Sequence, residues 1–157
     1  MKKIMIITIS VLLLTGCFGG NTETLRCSFN MEDAGISINA VEIIDIRNGR
    51  LVTREMTIQT IAADMTMDML EEHIANTIDS ERNGFGQLRG MAGVTYLSEM
   101  RSGYHFLDVL VDYREVDESE IRRVTSQGAR AVFHEWDQRI SVELTRSLLE
   151  SQGYICE

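Results

Sequence analysis

The dipeptide Asn48-Gly49 sits between two runs of strand-forming residues and constrains this chain more than any other feature. A type I′ turn needs positive φ at both central positions, which Asn and Gly accept most easily, and its twist matches that of paired strands. Before it, residues 36–47 carry Ile36, Ile38, Val41, Ile43, Ile44 and Ile46. After it, residues 51–61 alternate, with Val52, Met56 and Ile58 on one face and Thr53, Glu55, Thr57 and Gln59 on the other. Such alternation describes a half-buried strand with one wet side. Residues 25–31 supply an earlier strand, turned by Glu32-Asp33-Ala34-Gly35. A second hairpin runs through 91–100, the turn Arg101-Ser102-Gly103, and 104–116, where Leu107, Val109, Val111 and Tyr113 share a face.

Between the hairpins the period changes. Met67, Leu70, Ile74 and Ile78 follow a 3-4-4 spacing, which predicts an amphipathic helix with Thr66 as N-cap, ending near Asn83-Gly84. Glycines 84, 86 and 90 mark a loop. Asp117-x-x-Glu120 reads as a capping-box start for a short helix to about Val124. Residues 126–140 are ambiguous, with Phe133, Trp136 and Ile140 as anchors of a helical turn or a packed loop. Ser141 caps a last helix through Gln152, and Gly153 stands at its C′ position, where a Schellman ending packs Tyr154 against Leu149 and returns Cys156 to the sheet. The order βββ-α-ββ-α(α) predicts an α+β domain, an antiparallel sheet of about five strands with helices on one face.

Composition fits one such domain. The chain has 157 residues, 44% of them hydrophobic, and no proline, whereas average usage near 5% would give about eight. Proline-rich stalks and any fold needing a cis-Pro turn are excluded. The formal charge is −9, and it becomes −11 without Lys2 and Lys3, so nucleic acid is a poor partner.

Residues 1–16 read as an export leader. Lys2 and Lys3 precede an apolar run from Ile4 to Leu14, interrupted by Thr8 and Ser10 and well short of the roughly 20 residues a spanning helix needs. The run ends in Leu14-Thr15-Gly16-Cys17, which resembles the lipobox of bacterial lipoproteins. The resemblance implies that the Cys17 thiol is alkylated with a diacylglycerol and that the Gly16–Cys17 bond is then cleaved. The alternative is a secretory leader with a chance cysteine. Lipid chains on Cys17 would anchor the chain stably to a membrane, and residues 17–24 would tether a domain formed by 25–157. Cys27 and Cys156 remain. Two cysteines in an exported domain most simply form one disulfide, and a redox or metal pair would lack any C-x-x-C spacing.

The lipobox, a cysteine about ten residues into the mature chain, the hairpin-helix-hairpin-helix order and the ending Gly153-Tyr154-Ile155-Cys156-Glu157 together resemble the small YehR-like bacterial lipoproteins. That family's biochemical role is uncharacterised, so the resemblance implies an α+β domain at the cell envelope, facing the extracytoplasmic side, and carries over no catalytic residue.

Three constellations remain to be weighed. Met65-x-Met67-x-Met69 followed by His73 could hold Cu(I), because thioethers are soft ligands, and a helix starting a turn before Thr66 would align Met65, Met69 and His73 at i, i+4 and i+8. The plainer reading is that these methionines fill gaps where a strand hands over to a helix. Asp108 and Asp112 share a strand face with Tyr104, Phe106 and Leu110, but at about 3.3 Å per residue they stand roughly 13 Å apart, too far for a glycosidase pair. His134-Glu135 lacks the second histidine of H-E-x-x-H. His105, beside a turn, reads as a surface residue. No cofactor motif is present, and no catalytic set. The sequence therefore favours a non-enzymatic, lipid-anchored module for an unknown envelope or extracellular ligand. A Cu(I) handler is the runner-up and a hydrolase with an unrecognised site the third reading.

Overall fold

The computed structural model describes residues 21–33, 35–63, 65–133, 136 and 139–157. The leader, the lipobox, Gly16, Cys17 and the pair His134-Glu135 lie outside the described residues. Three long strands open the fold: β1 (Thr22–Asp33), β2 (Ile36–Arg47) and β3 (Arg50–Ala62). Helix α1 (Met67–Asn76) and a 3₁₀ turn (Gly86–Leu88) lead into β4 (Val94–Arg101) and β5 (Tyr104–Asp112). Helices α2 (Glu118–Ile121), α3 (Gln127–Val132) and α4 (Val142–Ser151) follow, and β6 (Ile155–Cys156) closes the chain. All pairings are antiparallel and the sheet order is β4-β5-β3-β2-β1-β6. The fold is α+β. It has six strands where about five were expected, because Ile155 and Cys156 add a short edge strand. β1 starts at Thr22, inside the stretch expected to be tether.

Local chemistry explains the elements. Asn48 and Gly49 have φ of 54° and 71°, the left-handed values that the tight β2–β3 turn requires. The Thr66 side chain accepts from the Met69 N–H and the Ser141 side chain from the Leu144 N–H, so both N-caps are those expected. At the end of α4 the Gly153 N–H donates to Glu150 O and the Tyr154 N–H to Leu149 O, a Schellman ending with Gly153 at φ 94°. That reversal places Cys156 directly opposite Cys27, with Cα atoms 4.0 Å apart and the sulfurs at disulfide distance.

One face of the sheet is packed and the other is open. Leu25, Ile44, Ile46, Leu51, Met56, Leu107, Val109 and Val111 are buried. They form two clusters, one with α2 and α3 through Ile121, Ala129, Val132 and Phe133, the other with α4 through Ile140 and Leu149. Leu51 reaches this face because the register shifts between Asp45 and Ile46, which leaves Val52 as an extra residue on β3. Strict alternation would have put Leu51 on the wet side. Helix α1 ends at Asn76, about two turns before the expected Asn83-Gly84, with Leu70 and Ile74 as its buried residues.

Candidate functional site

The packed face carries two charges that alternation alone would reserve for apolar side chains. Glu42 lies between Ala40 and Ile44 on β2, and Arg54 lies opposite Ile44 on β3. Their side chains are only 4% and 13% exposed. Arg54 Nε and Nη2 both donate to Glu42 Oε2, at 3.0 and 2.6 Å, and Nη1 donates to the Ala131 carbonyl at 3.2 Å. The other carboxylate oxygen, Oε1, accepts from the Tyr154 hydroxyl at 3.0 Å. Burial opposes the charge on Arg54, but Glu42 first and the Tyr113 hydroxyl second more than offset it, so Arg54 is held above its ordinary pKa. Burial, then the charge of Glu42, pushes the Tyr154 phenol up, which keeps its proton available for donation.

This triad forms one wall of a hollow of about 320 Å³ between the sheet, α3 and α4. Met56, Ile58, Phe85, Val132 and Leu149 make most of the remaining lining, and Leu148 and Gln152 also border it. The volume falls at the low end of the 300–1,000 Å³ typical of small-molecule sites. Thr145 lines the same hollow, is 2% exposed, and its Oγ1 has no hydrogen-bond partner among the described residues. An unpartnered buried hydroxyl costs stability unless something in the hollow satisfies it. Because Glu42 and Arg54 neutralise each other, the hollow offers an uncharged ligand an apolar bed and one free hydroxyl.

The sequence did not single out Glu42, Arg54, Thr145 or Tyr154 as site residues. Their signal was position: Arg54 shares the face of Val52, Met56 and Ile58, and a charge there demands a buried partner. The residues that were singled out scatter. Tyr104, Phe106, Asp108 and Asp112 lie on the open face, as their parity required, but the Arg101 guanidinium covers the Phe106 ring at 3.7 Å and Asp112 is paired with Arg114. Trp136, one of the anchors expected in 126–140, packs against the first core cluster.

His105 is 1% exposed, contrary to the expectation of a surface residue. Two residues back from Leu107, it shares the inward parity and lies opposite Thr60 and Met100. Burial holds its pKa below the ordinary imidazole value, against the opposing pull of Asp79. Its Nε2 is 2.8 Å from Ser98 Oγ, the beginning of a nucleophile–base pair, yet Nδ1 has no orienting partner among the described residues. A histidine this deeply enclosed gives a substrate no access.

Met65, Met69 and His73 come together. They line one shallow hollow of about 300 Å³ with Glu72 and Asn76, although α1 begins at Met67 and not a turn earlier. Met69 is 55% exposed and Met67 44%, so neither acts as core filling.

No protein-family model and no curated protein sequence matches the chain. Two solved structures share its architecture. The NMR structure of the E. coli YehR protein has 13% identity, covers 88% of this chain and 93% of its own, and superposes with a TM-score of 0.52. The NMR structure of a protein from Streptococcus pneumoniae TIGR4 has 10% identity, covers 100% and 98%, and gives 0.55. The fold is YehR-like. At these identities the likeness concerns the fold alone, so function has to be argued from the hollow.

Proposed function

We propose that the chain is a membrane-anchored extracytoplasmic binding module, which takes a small, uncharged, mainly apolar ligand into the hollow between the sheet, α3 and α4. One observation carries the reading: among the described residues Thr145 Oγ1 is buried without a partner, on the wall of a mainly apolar space whose charged lining residues, Glu42 and Arg54, are paired with each other. A ligand hydroxyl or carbonyl bonded to Thr145 supplies orientation, and burial of its apolar remainder against Met56, Ile58, Phe85 and Leu149 supplies affinity at about 25 cal/mol per Å². Glu42 is already committed to Arg54 and Tyr154, so it serves as scaffold and not as a general base.

The anchor belongs to the same proposal. Lipidation at Cys17, cleavage of the Gly16–Cys17 bond and closure of the Cys27–Cys156 disulfide rest on the sequence patterns, and the opposed cysteines of β1 and β6 support the last of these. Intact mass of the native protein reads all three at once: a chain starting at residue 17 with a diacylglycerol adduct and no free thiol.

Ligand binding is tested with N-phenyl-1-naphthylamine, a small apolar probe that fluoresces when buried. A chain starting at residue 18 should bind one equivalent. Leu148→Trp, which places an indole at the border of the hollow, should abolish the signal. Binding that survives this substitution unchanged places the probe elsewhere and overturns the reading.

A further inference from the structure

We infer that Met65, Met69 and His73 form a binding site for a soft monovalent cation, Cu(I) or its analogue Ag(I), separate from the apolar hollow. Three observations converge. The first is shared geometry: all three side chains line a single surface hollow, with Met69 and His73 one helical turn apart on α1 and Met65 just before its N-cap. The second is exposure. A thioether packed in a core is filling, but the Met69 side chain stands in solvent, where an apolar group this large has no packing role. The third is the imidazole. His73 is half-buried at the rim of the hollow, and among the described residues its ring takes part in no hydrogen bond, ion pair or ring contact. Thr77, its nearest bonded neighbour, donates to the His73 backbone carbonyl and leaves the ring nitrogens alone.

Two thioethers and one neutral imidazole make a soft, uncharged donor set. Such a set suits a monovalent d¹⁰ ion, which accepts three ligands, and it suits Zn(II) or Mg(II) poorly, because those ions favour thiolate, imidazole or carboxylate oxygen in larger number. No oxidation or reduction is required, since the ion enters and leaves as a monovalent cation. Glu72 on the same rim supplies a negative charge beside the site without needing to coordinate. The position also fits exchange with the exterior: Met65 follows β3 shortly after Ala62, at the end of the sheet opposite Thr22, where the chain enters the domain.

The test uses the mature protein in detergent, after thiol titration has shown that no free cysteine is present to compete. Ag(I), and Cu(I) under anaerobic conditions against bicinchoninate, are titrated into wild type, Met65→Leu/Met69→Leu, and Met31→Leu/Met67→Leu. Met31 and Met67 are exposed but lie off the hollow, and Met-to-Leu exchange conserves volume, so both variants keep the fold, which circular dichroism verifies. The expected result is one equivalent bound by wild type and by Met31→Leu/Met67→Leu, with at least a hundredfold loss in Met65→Leu/Met69→Leu. X-ray absorption on the loaded protein should show mixed sulfur and nitrogen ligation, and His73→Phe should remove the nitrogen. Equal binding by all three proteins, equal loss in both double variants, or no stoichiometric binding by wild type would overturn the assignment.

Discussion

At the scale of single residues the molecule is defined by what it buries against expectation. Glu42 and Arg54 are an ion pair on the apolar face, and such a pair is neutral to folding only while both members are present. Glu42→Gln should therefore cost about 3–5 kcal/mol in urea unfolding, because it strands the guanidinium, whereas Glu42→Leu/Arg54→Met together should recover most of that loss. His105 gives a second prediction. Its folded pKa is lowered by burial, so the native state resists a proton that the unfolded chain accepts near 6.5. The corresponding stability is complete above about pH 6.5 and is lost as pH falls toward the lower folded value. Urea midpoints measured from pH 7.5 to 5 should fall in wild type and fall less in His105→Gln. Glu42 and His105 were legible in retrospect by parity. They escaped notice because residues 36–47 carry β-branched residues on both faces, and because a turn beside His105 suggested solvent.

At the scale of elements, the sequence was most informative where one local interaction decides the outcome. Asn48-Gly49, the Thr66 and Ser141 caps and the Gly153 C′ position each act within a few residues, and each appears in the structure as expected. Ser141→Ala should lower stability by about 1 kcal/mol, measurable by thermal or urea unfolding. Where tertiary contacts decide, the reading stopped short. The bulge that turns Leu51 inward depends on β2 and β3 together, and α3 in the ambiguous stretch 126–140 packs through Ala129 and Val132 against a core no local pattern announces. Gly84 does lie in a loop, and its size has a tertiary cause no local pattern shows: a Cβ there would fall 2.1 Å from the Thr77 carbonyl oxygen, where backbones meet. The apolar hollow could not be seen at all, since its walls come from β2, β3, α3, α4 and the C-terminal residues. Opening the Cys27–Cys156 clamp with Cys156→Ala should cost up to about 4–5 kcal/mol, the chain-entropy limit for a loop closed over 129 residues.

At the scale of the whole molecule, the proposed anchor and the sheet define an axis. Four peptide steps separate Cys17 from Asn21, a reach of about 14 Å at most. Thr22 pairs with Arg47, and Arg47 with Arg50, so the β2–β3 turn lies at the end where the chain enters. The twelve residues of β1 carry the far end, with Glu32 and Asp33, about 36 Å away. In vesicles containing a headgroup-linked quencher, a fluorophore on Arg50→Cys of the lipidated protein should be quenched strongly and one on Glu32→Cys weakly. Equal quenching would mean the domain has no fixed orientation. The apolar hollow then sits within the body of the domain and the methionine site toward its outer end, so the two proposed ligands would not compete for space. The central claim concerns the first of these spaces, and the most direct measurement is a crystal structure of the chain grown with N-phenyl-1-naphthylamine. Probe density is expected between Met56, Phe85 and Leu149 with its amine at the Thr145 hydroxyl. Density found only on the open face of the sheet, with the hollow empty or closed, would contradict it.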